Sequence, residues 1–487
     1  MSLTNRFGLV AGTTALAIAG SAFGGAESNN DALSQIAELK QELAQLKQEN
    51  SQDWLTEQRS AEIRGIVQDV LADADTRTSL QSSGAMAGYN NGFFLASPDG
   101  NFSLKIGGQV QIRWTLNHAK AGYSATQPVG AAENMNLNTQ WGFENRRTKL
   151  DFQGNVFSKD WTYRVRAAFN QGAANGTVQA ANGAAAIDFA YIEKSMDNGM
   201  SIRVGQFHAP WMREVLVDSA YQLAAERSVL AGLFGQGYSQ GVQVGYQTEG
   251  MRFTGGAFDG IGGQNTVGIT GLFGGGNYNS QNTNWDDTTT NYSFAGRAEF
   301  KISGDWSQFN DFSSAKGSEA GMMAGVAAVY QRANWNATQG VSSSKMFGVT
   351  GDFTWDFGGA SLFASGVWVN NEDPTGNKNN PWGVSVQGGY FVTEEAELFA
   401  RYEFINYDTP DTGAGSNKYN GMTVGANYFF NANVKLTCDF TYNMKSLSGA
   451  NAGAALNGAG LRRDSFDNSG KGNKGQYVLR AQLQLLF

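Results

Sequence analysis

Cysteine, histidine, proline and charge are all scarce in this chain. Cys438 is the one cysteine among 487 residues, so no disulfide framework holds the fold. Two histidines, His118 and His208, are too few for a His-based metal site. They also form no convincing Ser-His-acid arrangement, so neither a cofactor nor an enzymatic centre is expected. Charged residues make up only 16%, and the net charge of -8 excludes the basic patch of a nucleic-acid binder. After the first 26 residues no apolar run reaches the roughly 18 residues that a membrane-spanning helix needs. What the chain does have is 63 glycines and 12% aromatic residues. That composition suits many strands joined by flexible turns.

The N-terminal stretch "MSLTNRFGLVAGTTALAIAGSAFGGAES" carries one early cation, Arg6, then an apolar run from Phe7 to Ala19 and small residues before Glu27. Residues 1-26 therefore read as a signal peptide, with cleavage after Gly24 or Ala26. The alternative is a membrane anchor, for which the apolar run is short and rich in Gly and Thr. Residues 27-81 switch to helical spacing. Ile36, Leu39, Leu43 and Leu46 fall at alternating intervals of three and four, the seam of a coiled coil, with Asn50 next in the series. A lone amphipathic helix is the other reading of so short a run. "SAEIRGIVQDVLADADTR" follows with Ile63, Ile66, Val67, Val70 and Leu71 on one helical face. Gly, Ser and Ala then mark a linker over 82-101.

From Phe102 to Phe487 the period becomes two, the mark of strands with one apolar and one wet face. "FSLKIGGQVQIRW" sets Leu104, Ile106, Val110, Ile112 and Trp114 against Lys105, Gln109, Gln111 and Arg113. "NVKLTCDFTYNM" sets Val434, Leu436, Cys438, Phe440 and Tyr442 against Lys435, Thr437, Asp439 and Asn443, which places the lone cysteine on the apolar face. Sixteen strands are expected, at 102-114, 143-154, 160-170, 186-194, 200-207, 239-248, 251-258, 291-302, 320-331, 346-357, 360-370, 382-392, 396-407, 419-430, 432-444 and 476-487. The ninth and eleventh, "AGMMAGVAAVYQR" and "ASLFASGVWVN", are weak because both faces look apolar.

The connections alternate long and short, with Asn431 alone as the tightest turn and 303-319 as one long connection in a short slot. A soluble sandwich has no reason to sort its loops by parity, whereas a membrane barrel has tight turns at one end and large loops at the other. In hydrocarbon every backbone polar group needs a protein partner, so only helices and closed barrels span. The expected fold is all-β: a transmembrane antiparallel barrel over 102-487, preceded by a periplasmic α-helical segment.

"GFFLASPDGNFSLKIGGQVQ", "GFENRRTKLDFQGNVFSKDWTYRVRAAFN", "IDFAYIEKSMDNGMSIRVGQFHAPWMREVLVDSAYQLAAERS" and the terminal Phe487 resemble the phosphate-selective porin O and P family. The similarity runs from Gly92 to Phe487 and is densest between Phe93 and Gln247. It implies a sixteen-stranded, trimeric, general or anion-preferring porin of the outer membrane, with the loop after strand five folded into the pore. The last strand, through Tyr477, Leu483, Leu485 and Phe487, resembles the signal by which the outer-membrane barrel-assembly machinery recognises its clients.

If the face assignments hold, Arg113, Arg147, Lys149, Arg164, Arg166, Arg203, Arg252, Arg297 and Arg401 point into the lumen. Rings of Arg or Lys favour anion passage, and Arg matches phosphate oxygens with a planar fork of donors. The competing reading is an ordinary wetted wall balanced by acids such as Asp151, Asp188, Glu299, Asp352 and Glu403. The 208-238 loop carries Arg213, Glu214, Asp218, Glu226 and Arg227 among apolar residues. It is either a constriction or an outside loop packed on itself or on a neighbouring subunit. The expected function is passive diffusion of small hydrophilic solutes, with anion or phosphate preference left open. The alternative is an envelope tether whose helical segment binds the cell wall.

Overall fold

A computed structural model describes residues 37–42, 44–45, 65, 84–90, 92–118, 139–169, 185–261, 282, 290–333, 344–372, 376–408, 417–445, 460–461 and 475–487. The chain divides into two units, Met1–Ser83 and Gly84–Phe487. In the first, residues 37–42, 44–45 and 65 are helical. Leu39 is exposed there. Ile36, Leu43, Leu46 and the stretch 1-26, read above as a signal peptide, lie outside the described residues.

The second unit is a closed antiparallel barrel of sixteen strands: β1 (Ser103–His118), β2 (Thr139–Asn155), β3 (Trp161–Ala168), β4 (Ala186–Ser195), β5 (Met200–His208), β6 (Tyr238–Gln247), β7 (Met251–Phe258), β8 (Thr290–Ser303), β9 (Gly321–Ala333), β10 (Ser344–Asp356), β11 (Ala360–Glu372), β12 (Trp382–Phe391), β13 (Ala396–Asn406), β14 (Lys418–Asn431), β15 (Val434–Asn443) and β16 (Tyr477–Leu486). Each strand pairs with the next, and β16 closes on β1 from Tyr477↔His118 to Leu486↔Gln109. Closure leaves no barrel edge unpaired. At the seam Phe487 and Gly108 exchange backbone hydrogen bonds of 2.8 and 3.2 Å. A Cβ at Gly108 would collide with the Phe487 ring, so glycine is what admits the aromatic there.

Sixteen barrel strands match the expectation, and each boundary falls within a few residues of the one read from periodicity. Some details differ, among them a two-residue strand Lys378–Asn379 paired with Asn371 and Glu372 at the end of β11. The linker over 82-101 carries two short strands, Met86–Tyr89 and Phe93–Ala96, the second paired with Ser103–Ile106 of β1. The turn between β14 and β15 is Ala432–Asn433, with Asn431 still in β14. And β2 begins at Thr139, earlier than its period suggests. The register slips beside Arg146, opposite Gln111 and Ile112. This bulge shifts the outward phase from Trp141 and Phe143 to Leu150 and Phe152, which hides the period.

The outer wall is apolar and the inner wall polar. Along β12 the pattern alternates strictly, Val384 and Val386 exposed outside, Ser385 and Gln387 buried inside. Cys438 is exposed on the outer face, as expected. Leaving one such Val or Leu in water forfeits about 1.5–3 kcal/mol of burial, so a whole girdle of them requires lipid.

A core lies inside the barrel. Residues 209–237, between β5 and β6, turn inward with two short helices, α1 (Arg213–Leu216) and α2 (Val229–Phe234). Trp211, Met212, Leu230, Leu233 and Phe234 are buried against Ala327 and Val329 of β9, Met346 of β10, Val367 and Val369 of β11 and Ile405 of β13. The inner faces of β9 and β11 depart from the polar rule at Ala327, Val329, Val367 and Val369, which this loop covers. Gly383 of β12 leaves the space that Leu230 fills. The connection 304–320 also turns inward, through the 3₁₀ turn Gln308–Asn310. Its Phe312 joins Val217, Leu223, Ala224, Phe363 and Phe399 in a second cluster.

Candidate functional site

The inward loop is fastened to the wall by charge. Glu226 accepts from Arg113 at 3.0 Å, Arg146 at 2.7 Å and Arg147 at 2.7 Å. The β2 bulge is what turns the consecutive Arg146 and Arg147 onto one carboxylate. Arg113 also pairs with Glu144. Burial pushes the Glu226 carboxyl up, but Arg146, Arg147 and Arg113 outweigh it and hold the group well below the usual carboxylate range. On the other side, Glu299 takes Arg213 at 3.3 Å, Arg252 at 2.6 Å and Arg297 at 2.9 Å, while Arg297 also pairs with Asp352 at 2.8 Å. Burial lowers Arg213 to about 10, a loss that Glu299 only partly offsets.

Backbone groups complete the fastening. Arg297 donates to Trp211 O at 3.1 Å and Arg401 to Glu226 O at 2.9 Å. Lys435 donates to Gln222 O at 3.0 Å, and Asn427 to Leu223 O at 3.0 Å. Asp439, paired with Arg480 at 2.6 Å, accepts from Ala225 N at 3.0 Å. Glu403 accepts from Leu230 N at 3.2 Å and pairs with Arg401 at 3.1 Å. Inside the loop, Glu214 accepts from Ser228 N at 2.6 Å, and Ser228 caps α2 through Ala231 N at 2.9 Å. Among the described residues Arg227 donates to the carbonyls of Glu214, Val215 and Val217.

Beside the loop, against β1–β4, lies a chamber of about 690 Å³. Its cations are Lys105, Lys149, Arg164, Arg166 and Arg227. Lys149 pairs with Asp188 at 2.6 Å, Arg164 and Arg166 with Asp151, and Arg166 also with Asp218 at 2.5 Å. Five basic side chains thus meet three side-chain carboxylates, Asp151 and Asp218 in the lining and Asp188 behind it, an excess of two among side chains. Burial raises the Asp218 carboxyl, but Arg166 and Lys149 prevail, so it stays ionised well below its ordinary range. Arg164 and Arg166 lie over the Phe189 ring at 4.6 and 5.1 Å, and the Tyr238 ring stacks on His208 at 4.1 Å. Asn310, from the second inward segment, completes the lining.

The nine basic residues read from periodicity all lie on inner-face positions, and the structure separates them. Lys149, Arg164 and Arg166 line the chamber. Arg113, Arg147, Arg297 and Arg401 are buried against the loop and its acids. Arg203 pairs with Glu193 at 2.5 Å over Tyr191 and Phe207. Arg252 lies 4.6 Å over Trp306. Of the loop residues, Arg213, Glu214 and Glu226 act as fasteners, whereas Asp218 and Arg227 line the chamber. Periodicity puts Lys105 and Lys435 on the wet face, yet their roles come only from closure. Arg146 was hidden by the bulge.

Among curated proteins no relative matches the sequence. The family model of phosphate-selective porin O and P matches residues 106–462. The chain belongs to this family. Solved structures with a similar fold include the anion-selective porin from Comamonas acidovorans, 13% identical with a TM-score of 0.50, covering 79% of this chain and 100% of that one. Pseudomonas putida OprB is 11% identical with a TM-score of 0.49, covering 79% and 94%. The outer membrane channel DcaP of Acinetobacter baumannii is 12% identical with a TM-score of 0.48, covering 82% and 100%. This porin O and P member is therefore a barrel of the outer membrane, and its class of activity is that of a channel.

Proposed function

We propose that this porin passes small hydrophilic solutes by passive diffusion and prefers anions, phosphate among the candidates. The observation that supports the preference is the chamber, where basic side chains outnumber acidic ones by two on a path narrowed by the inward loop. Fixed charge lining a narrow polar passage raises the local concentration of the opposite ion. The overall charge of -8 is summed over all 487 residues and does not by itself decide the sign inside the pore. The reading includes export by residues 1-26, a helical segment 27-81 in the periplasm, recognition of the last strand by the barrel-assembly machinery and assembly as a homotrimer.

Reversal potential in a salt gradient across a planar bilayer tests it. The parent is expected to be anion selective. Arg164→Ala combined with Arg166→Ala leaves three cations against three carboxylates in the chamber, so its reversal potential moves to zero or to the cation side. Cation selectivity of the parent would overturn the preference.

A further inference from the structure

Residues 209–237 are all described, and one of them is exposed: Tyr221, at 42%. Every other large apolar side chain of that loop is at least partly covered. The exposure is not slack, because the backbone around the ring is fixed. Tyr221 N donates to Asp218 O at 3.0 Å, Asp218 caps the turn through Ala220 N at 3.2 Å, and Tyr221 O accepts from Phe312 N at 3.2 Å. The structure thus holds an aromatic residue in the chamber lining, on the loop side, which Val215 and Leu216 also line. Lys149, Arg164 and Arg166 of the barrel wall line the same chamber.

A passage built for inorganic oxyanions alone has no use for this arrangement. Phosphate is surrounded by acceptors and gains nothing from an apolar side. Asp151 and Asp218 already neutralise Arg164 and Arg166 in part, so the net charge left there suits a monovalent anion better than a multivalent one. A monovalent organic anion with a flat apolar body fits both sides: its carboxylate toward the cations, its ring against Tyr221.

We infer that the chamber is a subsite for aromatic carboxylates, with Tyr221 as the residue that confers preference for the ring. This rests on the anion-passing reading above. The test is block of the chloride current through single channels by benzoate, acetate and inorganic phosphate, each read against the same channel's own chloride current. Benzoate is expected to reach half-block at about threefold to tenfold lower concentration than acetate or phosphate, the advantage of one ring contact. Tyr221→Ala removes that advantage, and Tyr221→Phe keeps it. Equal block by benzoate and acetate, or an advantage that survives Tyr221→Ala, overturns the inference while leaving anion passage standing. A cation-selective reversal potential would instead overturn the reading beneath it.

Discussion

At the scale of single residues, Glu226 holds the most. One carboxylate on the loop gathers Arg113 from β1 and both Arg146 and Arg147 from β2. Replacing it by Gln leaves three guanidinium groups crowded in a buried space without their common counter-charge. Breaking a buried charge cluster from one side costs about 3–5 kcal/mol. Glu226→Gln is therefore expected to lower the urea midpoint of the detergent-folded barrel and to make the open-channel current noisier. The same group sets a pH dependence. Its folded value lies well below the ordinary 4.5, so its contribution is fully present above that value and is lost as the pH falls further. Asp218 acts likewise below its ordinary 3.8. Channel noise in the parent should stay low through pH 4.5 and rise only well below it, and Glu226→Gln should already be noisy at neutral pH and change less with acid. A Glu226→Gln channel as quiet and as stable as the parent would contradict this role.

At the scale of elements, the inward segments explain what the strands alone do not. β9 and β11 read as weak because both of their faces are apolar, one toward lipid and one toward the loop. Periodicity reports which residues avoid water and is blind to what covers them. The long connection 304–320 in a short slot was visible as an exception to parity, and its cause is the same: Phe309 and Phe312 are buried inside the barrel. The Phe312 ring meets Phe363 at 4.6 Å, and Ser313 donates to Glu397 at 2.9 Å. Phe312→Ala should cost about 3–5 kcal/mol, the usual range for removing a buried aromatic ring. The measurement is urea unfolding of the folded barrel in detergent. An unchanged midpoint would show that this segment does not pack as described.

For the whole molecule, the sequence made legible what depends on alternation and on spacing. Two-faced strands, their number, the parity of the connections and the outward cysteine all follow from a period of two and a lipid-facing wall. Charge partners were not legible, because closure decides them. Gln111 meets Gln484 at 2.6 Å across the seam, and Arg147 meets Glu226 across a loop. No local pattern encodes such pairs. The division of the basic residues into fasteners and chamber lining arises the same way, from where the loop lands. The central claim is that residues 209–237 stand inside a conducting pore, with Tyr221 facing the solute. Tyr221→Cys tests it most directly, because the native Cys438 faces lipid and is shielded from a charged, water-soluble reagent. An anionic methanethiosulfonate added to open channels should lower the single-channel current in steps for Tyr221→Cys and leave the parent unchanged. A current that does not respond in Tyr221→Cys would place the loop outside the solute path and contradict the account.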